Sequence, residues 1–417
     1  MEPTVRTAAR ATSRSEPRVV ARAPSPPRLT VIFLPPAHRL AERVAFLAAA
    51  VLLLVVLPSL NAAGRPAEGV AGAWYWISDV QLNLLGRYLS YALLALGLDL
   101  IWGYTGILSL CHALFFCLGG YCMGMYLSLQ TGAEGVYESA LPDFMVWNRV
   151  TELPLFWVPF HSFWFTVVAI IAVPTLFALA FGFLAFRSRI RGVYFAVITQ
   201  ALAYSAWLLF NRNSMNLGGT NGLTNFKKIT PTFFSHAVTF RLGEPAVQRG
   251  LFVLTVAFLL AAYVLCRAIT RSRLGRVLTA IRDNENRVRF SGYNPANFKL
   301  FVFVVSAALA GIAGALYVPQ TGIITPGKMS VAASIEMVIW VAVGGRGTLA
   351  GAVLGSLVVN GAYSYCTTHF AAEWPYVLGI LFVAVVMLIP SGLIGLPAQV
   401  RDGLARRRRM KAYDAGA

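Results

Sequence analysis

Apolar runs close to the length that crosses a bilayer recur along this chain, and they constrain its fold more than any other feature. They cover residues 44–60, 84–104, 107–129, 162–186, 193–210, 251–268, 299–320, 349–365 and 376–396, with a shorter one at 335–343. About 20 residues in a helix span the roughly 30 Å hydrocarbon core at about 1.5 Å per residue. No water is available there to satisfy a free backbone, so a spanning run is a helix or a strand of a closed barrel. The runs lack strict alternation and are rich in Ala, Leu, Gly and Val. The expectation is therefore an all-α polytopic membrane protein with about ten transmembrane helices (eight to ten). The run 335–343 either crosses or dips in as a half-helix. Residues 44–396 form the transmembrane domain, between a disordered basic tail at 1–43 and a second basic tail at 397–417.

The net charge of +18 does not signal nucleic acid, because of where the charge sits. With both tails inside, 26 of the 35 Lys and Arg fall on the inner side. Glu134, Glu138, Asp143 and Glu152 all fall in one outer loop. Such asymmetry sets orientation in membranes, and it implies a plasma (inner) membrane protein with both termini cytoplasmic. The Arg-rich, acid-poor leader also has the composition of an organelle transit peptide, although a cytoplasmic tail fits better. The five cysteines lie in or beside apolar runs without a Cys-x-x-Cys pair, so they read as small buried hydrophobes. No metal site is expected, since Cys111, His112 and Cys117 point different ways on a helix. No nucleophile–base constellation suggests an enzyme.

One segment breaks the pattern. "AIRDNENRVRFSGYN", residues 280–294, places five charges between two apolar runs. Leu274, Val277, Leu278 and Ile281 recur at the spacing of one helix face, and Gly292 and Pro295 end the element. Residues 271–298 therefore form a cytoplasmic loop with a short amphipathic helix lying along the membrane. One reading is an anchoring loop that merely obeys charge topology. The other is a docking helix for a soluble partner, with apolar knobs supplemented by Arg282, Asp283, Glu285, Arg287 and Arg289. The chain has no G-x-x-x-x-G-K-[ST] phosphate loop, so active transport requires a separate ATP-binding subunit.

The segment "SRLGRVLTAIRDNENRVRFSGYNPANFKLFVFVVSAALAGIAGALY" resembles the membrane subunits of the branched-chain amino-acid and urea type of ABC importer. The resemblance continues through "LDLIWGYTGILSLCHALFFCLGGY", "FRSRIRGVYFAVITQAL", "GGTNGLT" and "SIEMVIWVAVGGRGTLAGAVLG", over residues 82–395. It implies a permease subunit without a cofactor of its own. The expected partners are a second homologous permease, two ABC ATPases that bind the ATP, and a periplasmic substrate-binding protein. It also implies that the 271–298 loop contacts the ATPase. "LPDFMV", "RDNENRVRFSGYN" and "VAVGGRGTL" look like the urea branch, and the amino-acid branch usually has an uncharged residue where Arg346 stands. Cys111 departs from the small residue common at that position.

Two glycine-broken segments occupy related points of the two halves, Trp102 to Ser109 and Val343 to Gly351. Paired interruptions point to a midplane site in transporters, whereas small residues also serve close helix packing. Tyr104, Thr105, Gly106, Ser109, His112, Asn221, Glu336, Gly344, Gly345, Arg346, Gly347 and Thr348 are the candidate path residues. In the bland reading, His112 is a buried, hydrogen-bonded histidine, and Gly218, Gly219 and Gly222 supply backbone angles. A buried Arg346 needs a partner, and Glu336 and Asp99 are the candidates. Urea, neutral and flat, suits amides, hydroxyls and carbonyls; an amino acid suits groups for a zwitterion. The alternatives are therefore a urea importer, an importer of branched-chain amino acids or short amides, and a stand-alone channel or ion-coupled carrier. The topology has a direct test. In a chain freed of its own cysteines, Glu285→Cys is expected to react with an impermeant maleimide in inverted vesicles. Labelling from outside intact cells overturns the orientation.

Overall fold

The computed structural model describes residues 36–63, 77–188, 190, 192–233 and 236–370, with scattered positions from 372 to 399. Most of the leader, nearly all of the tail at 397–417 and much of the run 376–396 lie outside the described residues. Two units are distinguished, Met1–Ala48 and Ala49–Ala417. The first contributes the start of helix α1 (Pro36–Val51), which begins ahead of the apolar run at 44. A π-helical turn at Leu52–Val56 leads into α2 (Leu57–Ala62).

The second unit is built from long helices and a few two-residue strands. Its helices are α3 (Asp79–Thr105), α4 (His112–Thr131), the short α5 (Asp143–Trp147), α6 (Phe163–Arg187) and α7 (Val193–Phe210). Then follow α8 (Pro245–Arg271), α9 (Arg273–Phe290), α10 (Pro295–Thr321), α11 (Val331–Gly344) and α12 (Leu349–His369). Among the described residues, eight helices are long and apolar enough to cross a membrane. The fold is thus the all-α polytopic architecture expected. At 14 residues α11 is shorter than those eight. The run 107–129 divides differently from its hydropathy: 107–111 is not helical, and α4 starts at His112. Gly106, with φ of 77°, closes α3 in the left-handed region, so the chain must turn before it can coil again.

Helix starts follow local chemistry. Ser78 and Gln81 make a reciprocal capping box at α3, Ser162 caps α6, and Asn294 followed by Pro295 opens α10. Buried α3, α4 and α10 form the centre of the unit, whereas α6 and α7 expose Trp164, Val168, Leu176 and Tyr194 as lipid-facing helices do. Lipid is as apolar as leucine, so close backbone approach rather than water exclusion holds such helices together. The sequence "ALAGIAGALY" in α10 provides it. A Cβ on Gly314 would strike the Phe116 carbonyl of α4, and one on Gly119 would strike Gly311. Gly311 faces Pro174 of α6 in the same way.

At the end of the bundle away from α9, the loops are stitched together. Leu223–Thr224 pairs antiparallel with Ile323–Ile324. Gly218, Gly219 and Gly222 of "GGTNGLT" all have positive φ, at 83°, 52° and 68°. Lys228 pairs with Glu134 at 2.6 Å, and the Asn225 amide donates to Asp143 at 2.9 Å. The Lys228 hydrogen bond holds the Glu134 carboxyl below its usual range. Gly314→Val should overpack the α4–α10 crossing at a cost of about 1–3 kcal/mol or more. The check is the thermal midpoint of the detergent-solubilised protein, and an unchanged midpoint would remove this account of the crossing.

Candidate functional site

Helix α9 lies at the turn between α8 and α10. The Ser272 hydroxyl accepts from the Leu274 and Gly275 amides at 3.1 and 3.4 Å and starts it. Leu278, Ile281 and Val288 are buried, whereas Arg273, Arg276, Asp283 and Arg287 are exposed. Leu274 and Val277 are half-buried. The apolar face offered from the sequence as knobs for a partner is thus turned inward, because covering that face on the bundle removes it from water. The outer face is charged. Its charges are partly tied down: Arg289 and Lys299 both hold Glu285, at 3.1 and 2.7 Å, and Arg282 meets Asp283 at 3.5 Å. The helix is also broken at Asn284, where the backbone is extended. The Asn284 side-chain oxygen accepts from the Arg287 amide at 3.1 Å and restarts the coil.

From this helix Arg282 reaches into the bundle and donates to the Gly103 carbonyl at 2.8 Å. One turn back on α3, fully buried Asp99 accepts from the Gly347 amide at 2.7 Å. The two glycine-broken segments therefore meet. Gly103 has to be glycine, because a Cβ there would lie 2.6 Å from Gly347 N and would also strike Asp99. Gly345 and Gly347 have φ of 120° and 80°. Gly344 packs against Gly351 across the α11–α12 turn with no room for a side chain.

Arg346 forms no ion pair with Asp99 or Glu336 among the described residues, contrary to expectation. Its guanidinium lies over the Trp102 ring, 5.1 Å from the centroid. The backbone amide of Gly347, fixed by the tight turn, takes the Asp99 oxygen instead.

Most other path candidates lie near this junction rather than on open space. Tyr104, Thr105, Ser109, His112 and Gly344 are buried. Thr105 donates to the Ile101 carbonyl at 2.6 Å and Thr348 to the Gly345 carbonyl at 2.5 Å. Gly106 sits against the Arg282 stem. His112 Nε2 is 2.5 Å from the Ser306 hydroxyl, which donates its one proton to the Gly97 carbonyl. His112 must therefore be the donor in that pair, joining α4, α10 and α3. Asn221 is exposed in the far loops.

Glu336 is the exception. It lines a cavity of about 220 Å³ between α3, α10, α11 and α12, where α3 contributes Arg87 and Tyr91. Tyr91, Tyr317 and Trp340 form its aromatic wall, with Tyr91 4.9 Å from Trp340 and 5.2 Å from Tyr317. Lys328 enters from the loop between α10 and α11. Its ammonium donates to the Tyr91 hydroxyl at 3.0 Å and lies over the Tyr91 and Tyr317 rings at 5.5 and 5.7 Å. Arg87, Asn360 and Ser364 complete the polar lining. Sequence reasoning missed Lys328. A lone cation eight residues before Glu336 in an apolar stretch was the available signal.

Residues 80–389 match the family described as "Branched-chain amino acid transport system / permease component". The chain belongs to that family. Among its relatives is the high-affinity branched-chain amino acid transport system permease protein LivM of Escherichia coli (strain K12), 26% identical over 81% of this chain and 76% of the relative. BraD of Pseudomonas aeruginosa is 25% identical over 74% of this chain and 92% of its own length. LivH of Escherichia coli (strain K12) is 22% identical with the same coverage. No solved structure matches. These relatives are transport permeases, and this family member is a multi-pass membrane protein. The urea assignment made from short motifs finds no support among these relatives, whose names specify branched-chain amino acids.

Asp99→Ala should strand the Gly347 amide and cost about 1–3 kcal/mol. Asp99→Asn keeps an acceptor oxygen and should recover most of that loss. Thermal midpoints of the purified protein decide it, and an alanine variant as stable as the asparagine one would show that the contact does not hold the turn.

Proposed function

We propose that this family member is the permease subunit of an ATP-driven importer and forms half of the translocation path for branched-chain amino acids. The observation that carries the reading is α9: its apolar face is packed on the bundle, its charged face is exposed, and Arg282 is bonded to the junction of the two broken segments. A soluble motor that moves this helix would pull on Gly103 directly, and Gly347 lies beside it. ATP would be bound by two partner ATPases, and a second homologous permease and a periplasmic binding protein would complete the machine. Both termini would lie in the cytoplasm of a bacterial inner membrane.

The relatives' printed names favour amino acids as the solute. Urea is the second reading, favoured by "LPDFMV" at 141–146 and by Arg346 within "VAVGGRGTL". Labelled leucine and urea uptake, measured with and without the ATPases, separates the readings. Leucine uptake that needs the ATPases is the expected result. Urea uptake alone selects the second reading, and uptake unchanged without ATPases removes both. Ile281→Glu combined with Arg282→Ala should reduce coupled uptake about tenfold or more, the equivalent of about 1.4 kcal/mol, while the chain still inserts. Undiminished assembly and uptake would remove the coupling role.

A further inference from the structure

The cavity between α3, α10, α11 and α12 contains more chemistry than helix packing needs. Its volume of about 220 Å³ is below the roughly 300–1,000 Å³ of sites for drug-sized ligands, so it suits a small solute. It is lined by Arg87 and Tyr91 of α3, Tyr317 near the end of α10, and the facing turns of α11 and α12. Lys328 and Glu336 both line it, yet they form no ion pair with each other. The Lys328 ammonium is already held by a phenol and two ring faces, which favour its charged form. A carboxylate in such a setting is costly unless a cation or donors meet it. Trp340, 2% exposed, lines the same space with an indole N–H that has no hydrogen-bond partner among the described residues.

We infer that Lys328 and Glu336 hold the two ends of a zwitterionic solute in this cavity, the carboxylate on Lys328 and the ammonium on Glu336. The unpartnered Trp340 N–H is the further donor available to the carboxylate. The rings of Tyr91, Tyr317 and Trp340 supply the apolar contact for an aliphatic side chain. Arg87 is the other cation facing the cavity, but Lys328 is the one fixed by the hydrogen bond and the two rings. The inference rests on the amino-acid reading above and names the residues that would enforce it. Specificity follows from the two charges: a solute lacking either end leaves one wall charge uncompensated.

The test uses the complete transporter in proteoliposomes, with its partner permease, ATPases and binding protein. Leucine uptake is measured for the native chain and for Lys328→Met, Lys328→Arg, Glu336→Gln and Trp340→Phe. Lys328→Met and Glu336→Gln should each raise the half-saturating leucine concentration at least tenfold, and Lys328→Arg should recover most of the loss. Trp340→Phe should weaken uptake less. Co-purification of the ATPases with each variant separates a binding defect from failure to assemble. Leucinamide, which lacks the carboxylate, should compete poorly with leucine on the native complex and better on Lys328→Met. Native leucine transport with unchanged constants in both charge-removing variants overturns the anchors and leaves the importer reading intact. A native complex that moves urea but no leucine overturns both.

Discussion

An interrupted helix inside a bundle leaves backbone amides and carbonyls that lipid cannot satisfy, and two side chains resolve this here. Asp99 takes the Gly347 amide and Arg282 supplies a donor to the Gly103 carbonyl. Each polar group so compensated removes a cost of several kcal/mol in a hydrocarbon setting. The turn between α11 and α12, the end of α3 and the outlying α9 are thereby fixed as one junction. Because Gly103 and Gly347 approach to backbone contact, the junction has no slack for a side chain. Under the coupling proposed above, a displacement of α9 would reach the α11–α12 turn, and other turns of α11 carry Glu336 and Trp340 to the cavity.

Much of this architecture was legible from hydropathy alone. The run 193–210 coincides with α7, and 349–365 begins where α12 does. Both are bounded by chemistry visible in the sequence, a glycine on one side or a Thr-Leu step on the other. The run 107–129 was misjudged because hydropathy records what a residue is and not whether its backbone coils, and Gly106 had already turned the chain. The amphipathic spacing of α9 was visible, but its direction was not. Periodicity shows that Leu278 and Ile281 share a face, and only the neighbouring helices show which way that face looks. The break at Asn284 left no mark in composition, since the extended backbone there is open to any residue.

The candidate site was legible in part. Glycine interruptions marked two segments that the structure brings together, and left open how they meet. Arg346 and Asp99 were paired on the rule that buried charges seek opposite charges, yet a backbone amide and an indole face took their places. An amide held rigidly in a turn competes well with a long side chain that must give up rotamer freedom. Lys328 escaped notice because loops with Pro and Gly read as surface, although its stem carries the ammonium back among tyrosines.

The small strand pair joining Leu223–Thr224 to Ile323–Ile324 has a mechanical corollary. It fastens the segment entering α8 to the segment leaving α10, on the side of the bundle remote from α9. While that clasp holds, this rim cannot spread like petals. An opening on that side that keeps the clasp would have to move other helices, such as α11 and α12, past these two segments, as a sliding door does rather than an iris.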